Sequence, residues 1–127
     1  MNNRTHEGNR SMIKVFGLKN CDTCRNAMKW LNNSGLMHEF HDVRDDGVDP
    51  EAVGRWTRSV GWDSLLNQRS TTWRGLDDEK KAGLNESSAM ELMLENPTLI
   101  KRPVFEAGDD VIVGFKEEQK AALQAKR

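Results

Sequence analysis

Met12-Ile13-Lys14-Val15-Phe16-Gly17-Leu18-Lys19-Asn20-Cys21-Asp22-Thr23-Cys24-Arg25 runs a short apolar segment into the only two cysteines of the chain, set two residues apart. Residues 12–17 read as a strand. Beyond them Cys24, Ala27, Met28 and Leu31 fall at i, i+3, i+4 and i+7, one face of a helix. The cysteine pair therefore sits where a strand ends and a helix begins. Backbone N–H groups at a helix N-terminus lack intrahelical partners, and the dipole there favours negative charge. A cysteine in that place has its thiolate stabilised, with pKa values of about 3.5 to 7.5. Lys19 and Arg25 flank the pair and act the same way, whereas Asp22 opposes them.

The chain has 127 residues, enough for one domain with a real core. Charged residues make up 31% and nearly cancel, with a formal net charge of −1, so bulk charge points neither to nucleic acid nor to an anionic membrane. No apolar run approaches the ~20 residues of a membrane span. Residues 1–11 are polar, without the apolar core of a signal peptide, and read as a disordered leader or an expression remnant. A single Cys-x-x-Cys opening a helix suits redox chemistry in a reducing compartment rather than a disulfide framework, and places the protein in the cytoplasm.

Downstream, Asn33-Ser34-Gly35 supplies a helix stop and residues 37–43 a second strand. Asp49-Pro50 is a cap followed by proline at the first helical position, and Val53, Trp56 and Val60 give that helix its apolar face up to Gly61. Residues 62–66 add a short helical turn. Residues 67–74 show neither period and read as a polar loop. Asp77 caps a brief helix to about Ala82, and Asn85 caps another that Asn96-Pro97 stops. Residues 99–103 read as extended. Val104–Ala107 and Val111–Val113 form a β-hairpin across Gly108-Asp109-Asp110, and Phe115, Ala122 and Leu123 share one side of a last helix. The order is β-α-β, a helical block over about residues 49–96, then β-β-α. An α/β mixed sheet with helices on its faces follows from that order, which is the order of the thioredoxin fold with a helical insertion between its halves.

The cysteines have two plainer readings, buried structural thiols or half of a zinc site. Structural zinc takes four ligands. The remaining candidates are His6, in the polar leader, and His38 and His41, three apart and so on opposite faces of a strand. A redox pair with no metal is the preferred reading. In the second constellation, Ile100-Lys101-Arg102-Pro103-Val104, proline at a strand start suits an edge. The fold likeness makes Arg102–Pro103 a cis bond beside the active-site cysteine and sets Arg102 next to the thiol. A third stretch, Asn67 to Arg74, holds Arg69 and Arg74 with Thr71 and Thr72, donors that suit an oxyanion as readily as a solvated loop.

From Met12 to about Leu123 the chain resembles the small arsenate-reductase-like proteins, the ArsC/Spx group, and within it the YffB branch. The residues that carry the likeness include Val15 to Thr23, Phe40 to Arg44, Gly61-Trp62, Leu66-Asn67, Thr71 to Arg74, Ile100 to Pro103 and Val113 to Phe115. The resemblance implies that Cys21 is the attacking cysteine and glutathione a co-substrate. It also implies that Arg102, Pro103 and a donor near Arg69 hold the substrate, with no bound cofactor or metal. The third oxyanion arginine of the arsenate reductases falls where this chain has Val113-Gly114-Phe115, so arsenate is expected to be a poor substrate. Cys24 is shared with the Spx regulators, in which the pair is a redox switch on a protein that binds RNA polymerase. A monomeric cytoplasmic thiol–disulfide reductase is the leading expectation, with a polymerase-binding redox regulator second and an arsenate reductase third.

Overall fold

The computed structural model describes residues 12–126; the expected leader, with His6, lies outside them. Two compact units make up the described chain, one of residues 12–42 with 102–126 and one of residues 43–101.

The first unit is the half-sheet pair that the sequence order anticipates. Strand β1 (Ile13–Gly17) leads to helix α1 (Asp22–Asn33) and strand β2 (His38–Asp42). After the intervening unit come β3 (Val104–Ala107), β4 (Asp110–Val113) and the last helix (Glu117–Gln124). The sheet order is β2-β1-β3-β4, with β1 parallel to β2 and antiparallel to β3, and β3 antiparallel to β4. This is a thioredoxin-like α/β arrangement. Strand alternation sends Ile13 and Val15 to one face, where the register sets Ala107 and Phe105 beside them. There they pack with Ala27 and Leu31 of α1 and with Leu123 of the last helix, all fully or nearly fully buried. The buried stripe of α1 is the one its spacing predicts, Cys24, Ala27 and Leu31.

Helix α1 stops in a Schellman arrangement. Gly35 N–H donates to the Asn32 carbonyl and Leu36 N–H to the Leu31 carbonyl. Gly35 sits at φ +70°, a backbone that glycine adopts without a Cβ clash. The turn delivers β2 to its parallel partner within a few residues.

The second unit is helical: α2 (Pro50–Val60), α3 (Trp62–Leu65), α4 (Thr71–Arg74), α5 (Asp78–Lys81) and α6 (Glu86–Glu95), then a 3₁₀ turn (Pro97–Leu99). The Asp49 carboxylate accepts from Glu51 N–H at the start of α2, and Asn85 with Ser88 forms a reciprocal cap on α6. Trp56, Val53, Leu65, Leu66, Ala89, Met93, Leu99 and Ile100 are among its residues with essentially no exposure. Three expectations are corrected here. The stretch read as a loop over 67–74 closes as a helical turn from Thr71, because the Ser70 hydroxyl accepts from Trp73 N–H. Leu99 belongs to the 3₁₀ turn rather than to extended chain, and extension begins at Ile100, which bridges Leu66. Phe115 precedes the last helix instead of lying on it. Among the described residues, no helix is long and apolar enough to cross a membrane.

Candidate active site

Cys21 is the N-cap of α1, its backbone extended at φ −114° and ψ 121°, and its carbonyl accepts the first helical bond from Arg25 N–H at 2.9 Å. Both cysteines are free thiols. Cys21 is half-buried, whereas Cys24, three residues into the helix, is 1% exposed. The helix geometry produces this division: Cys24 opens the inward stripe and Cys21 stays at the lip.

The two sulfurs differ in acidity for reasons that can be separated. Burial on its own raises Cys21, but hydrogen bonding from the Cys24 N–H, the Cys24 thiol and the Arg102 side chain, with the arginine's charge, outweighs it. Cys21 is therefore held below the ordinary thiol range. Cys24 is pushed up to about 12, first by burial and then by its bond to Cys21 and the negative charge there; hydrogen bonding from the Leu18 backbone only partly offsets this. The pair reads as one more acidic sulfur, Cys21, and one thiol that donates to it.

Arg102 thus stands beside Cys21, where the fold likeness set it, and the Arg102–Pro103 bond is cis. Pro103 is buried at the mouth of β3, and its carbonyl accepts from Gly114 N–H at 2.9 Å. Arg69 lies in the second unit, exposed, with its N–H bonded to Asn67 Oδ1 and its carbonyl accepting from Arg74 Nη1. His38 and His41 occupy opposite faces of β2. His38 Nδ1 pairs with the Leu36 carbonyl, and His41 stacks on Phe16.

Two contributors to the site escape the sequence reading. The Asp42 carboxylate, 8% exposed at the end of β2, accepts from Lys19 N–H at 2.9 Å. Arg25 Nη1 grips the Lys19 carbonyl at 3.1 Å. Together they pin the loop that carries Cys21. The other is Gly17, directly under Cys24: a Cβ built there lies 2.5 Å from the Cys24 sulfur. Glycine at a strand end is a known mark of close approach, and that signal was available in the sequence; the Asp42 contact depends on strand register and was not.

Known proteins resemble this chain along most of its length. The model of the ArsC family matches residues 16–123. A Haemophilus influenzae protein described only as uncharacterized is 44% identical over 114 residues, covering 90% of this chain and all of that protein. The solved structure of a YffB protein is 43% identical, with a TM-score of 0.84, over 88% of this chain and 98% of that one. The global transcriptional regulator Spx of Streptococcus agalactiae is 29% identical over 111 residues, covering 85% of this chain and 80% of that protein.

Proposed function

The chain belongs to the ArsC family, and on that premise we propose that it is a thiol–disulfide reductase with Cys21 as nucleophile and Cys24 as resolving thiol. The observation that carries this reading is the asymmetric pair, a Cys21 sulfur bonded by Cys24 and Arg102 above a buried, protonated Cys24. The Cys21 thiolate attacks one sulfur of a substrate disulfide. A Cys21–substrate bond forms, the substrate S–S bond breaks, and the departing thiolate takes a proton from solvent. Loss of the Cys21 charge removes part of what holds Cys24 protonated, although burial remains. Cys24 then gives up its proton and attacks Cys21, releasing the second substrate thiol and leaving Cys21–Cys24 oxidised. Two electrons and two protons have passed to the substrate. Two glutathione thiols restore the dithiol and become glutathione disulfide; a thioredoxin system would serve the same end. Glutathione-coupled reduction of hydroxyethyl disulfide tests the reading, and absence of turnover by the reduced protein would refute it.

Arg102 stabilises the thiolate in this scheme, so its removal moves the reactivity of Cys21 with pH. Thiolate fraction rises as pH passes the Cys21 pKa, and a lowered pKa places that rise early. Arg102→Gln is expected to carry the alkylation profile to higher pH and to slow iodoacetamide labelling at about pH 6 by roughly tenfold. Tandem mass spectrometry should find the label on Cys21 first. An unshifted profile would remove Arg102 from the site.

A second reading, favoured by the likeness to the Spx regulator, makes this chain's Cys-x-x-Cys a redox switch on a protein that binds RNA polymerase. Recovery of polymerase by immobilised protein in one redox state only, without turnover on disulfides, would select it. Arsenate reduction is expected to be poor, because oxyanion selection needs several convergent donors and Val113-Gly114-Phe115 supplies no arginine. Coupled arsenate turnover at about 1 to 10³ s⁻¹, the ordinary enzymatic range, would contradict this.

A further inference from the structure

Along α1, outside the cysteine pair, lies a groove of about 510 Å³, within the size range of ligand clefts. Thr23, Trp30 and Asn33 line it from one stripe of the helix, at i, i+7 and i+10, with Lys29 at their shoulder. Phe115 and Lys120 contribute from the segment after β4 and from the last helix. This stripe adjoins the buried Cys24-Ala27-Leu31 face and begins in the turn that carries both cysteines.

The lining has a definite chemistry. Trp30 and Phe115 meet edge to face, centroids 5.7 Å apart at 75°, and leave half-buried aromatic surface. Lys29 and Lys120 bring two ammonium groups, and among the described residues no carboxylate lines the groove, although the chain holds 20 acidic residues against 19 basic ones. Lys120 Nζ sits 4.9 Å from the Phe115 centroid and 3.4 Å from Glu117 Oε2. Glu117 is 94% exposed, and a pair whose carboxylate is so open to water is weak enough to yield to a competing carboxylate. The amides of Asn26 and Asn33 can serve backbone N–H and C=O groups. Ten residues of helix separate Thr23 from Asn33, about 15 Å at the α-helical rise. That length suits four to five extended residues at about 3.3 Å each, and a tripeptide of about 10 Å leaves part of it unfilled.

We propose that this groove docks an extended acidic peptide segment bearing an apolar side chain, the stretch that flanks the disulfide attacked by Cys21. The carboxylates pair with Lys29 and Lys120, and the apolar side chain lies on Trp30 and Phe115. This deepens the reductase reading and rests on it: the substrate is then a protein disulfide in acidic surroundings.

The test uses the full chain and synthetic hexapeptides whose cysteine is disulfide-linked to thionitrobenzoate. One flank is Glu-Phe-Glu and the other Lys-Phe-Lys, with hydroxyethyl disulfide as the small neutral reference. With the reduced protein as the only reductant, in single turnover and normalised to that reference, the second-order rate constant should favour the acidic peptide by about three- to tenfold at low ionic strength, the range expected of two solvent-accessible pairs, and the preference should shrink with salt. Lys29→Glu with Lys120→Glu should reverse it. Glu117→Gln, which frees the Lys120 ammonium, should enlarge it. Equal rates for the two peptides, or a preference that survives the double reversal, would overturn the docking proposal. So would its loss in millimolar reduced glutathione, which would assign the groove to the tripeptide. If even hydroxyethyl disulfide is not reduced, the reductase reading fails instead. Fluorescence anisotropy with serine in place of the peptide cysteine then decides docking alone, with tighter acidic-peptide binding supporting it and no charge preference overturning it.

Discussion

Cys21→Ser is expected to abolish the mixed disulfide with glutathione, while Cys24→Ser is expected to make that adduct accumulate. The asymmetry follows from where the helix puts each sulfur. An unperturbed thiol of pKa ~8.5 is only a few per cent ionised at pH 7, so attack depends on whichever cysteine is held as thiolate. Hydrogen bonds and the Arg102 charge lower the Cys21 pKa against the effect of burial, which makes it the readier of the two to ionise. Cys24 is 1% exposed and pushed up to about 12, so it cannot begin the exchange. Removing Cys21 removes the nucleophile, and the loss should be complete rather than graded. Removing Cys24 leaves the nucleophile but takes away the internal thiol that resolves the adduct. Mass spectrometry of each variant after exposure to oxidised glutathione reads both outcomes directly. A glutathionyl adduct on Cys21→Ser, or adduct on Cys24→Ser no more abundant than on the unaltered chain, would show the roles to be misassigned.

The placement of the two cysteines, on which the proposed roles rest, was legible in the sequence because it depends on local geometry. An apolar strand, a polar turn and a 3.6-residue period starting at Cys24 place the pair at a helix N-terminus without any knowledge of the rest of the fold. The caps at Asp49 and Asn85 were legible for the same reason, since each is a side chain answering a backbone group two or three residues on. The helical turn at Thr71–Arg74 was not, because its cap is a serine inside a polar run and no apolar residue pattern or acidic cap marks its start. Likewise the 3₁₀ turn at Pro97–Leu99 is too short to distinguish from extended chain. The Asp42 contact to Lys19 belongs to a different class. It follows from the parallel register that sets Gly17 beside Asp42, and register is a property of two strands that no single stretch contains. Of the anion-binding candidates, Arg102 was found through its place before Pro103. Arg69, which the family resemblance alone assigned to the substrate, is an exposed residue of the second unit bonded within its own turn.

Gly17→Ala is expected to disable the resolving step while leaving both cysteines in the chain. Gly17 is buried at the end of β1, and an added Cβ would lie 2.5 Å from Cys24 Sγ and 3.5 Å from both Cys24 Cβ and Phe40 Cε1. Contact between such atoms is comfortable near 3.5 to 4 Å, so the sulfur must give way by about an ångström. Two effects compete. Alanine restricts the unfolded chain and favours folding by about 0.4 to 1 kcal/mol, whereas overpacking a buried site costs about 1 to 3 kcal/mol. Overpacking wins, and the displacement falls on the group that hydrogen-bonds Cys21. The variant should therefore be less stable, label Cys21 more slowly near pH 6, and accumulate the glutathione adduct as Cys24→Ser does. A double-mutant cycle isolates the cause. Serine carries its oxygen closer to Cβ than cysteine carries its sulfur, so Cys24→Ser relieves the collision, and the two substitutions together should cost less than their separate costs combined. Contacting residues typically couple by about 0.5 to 3 kcal/mol, well above the scatter of independent sites. Additive unfolding free energies would mean that Gly17 does not hold Cys24 in place, and that the seat of the resolving thiol is set from elsewhere on α1.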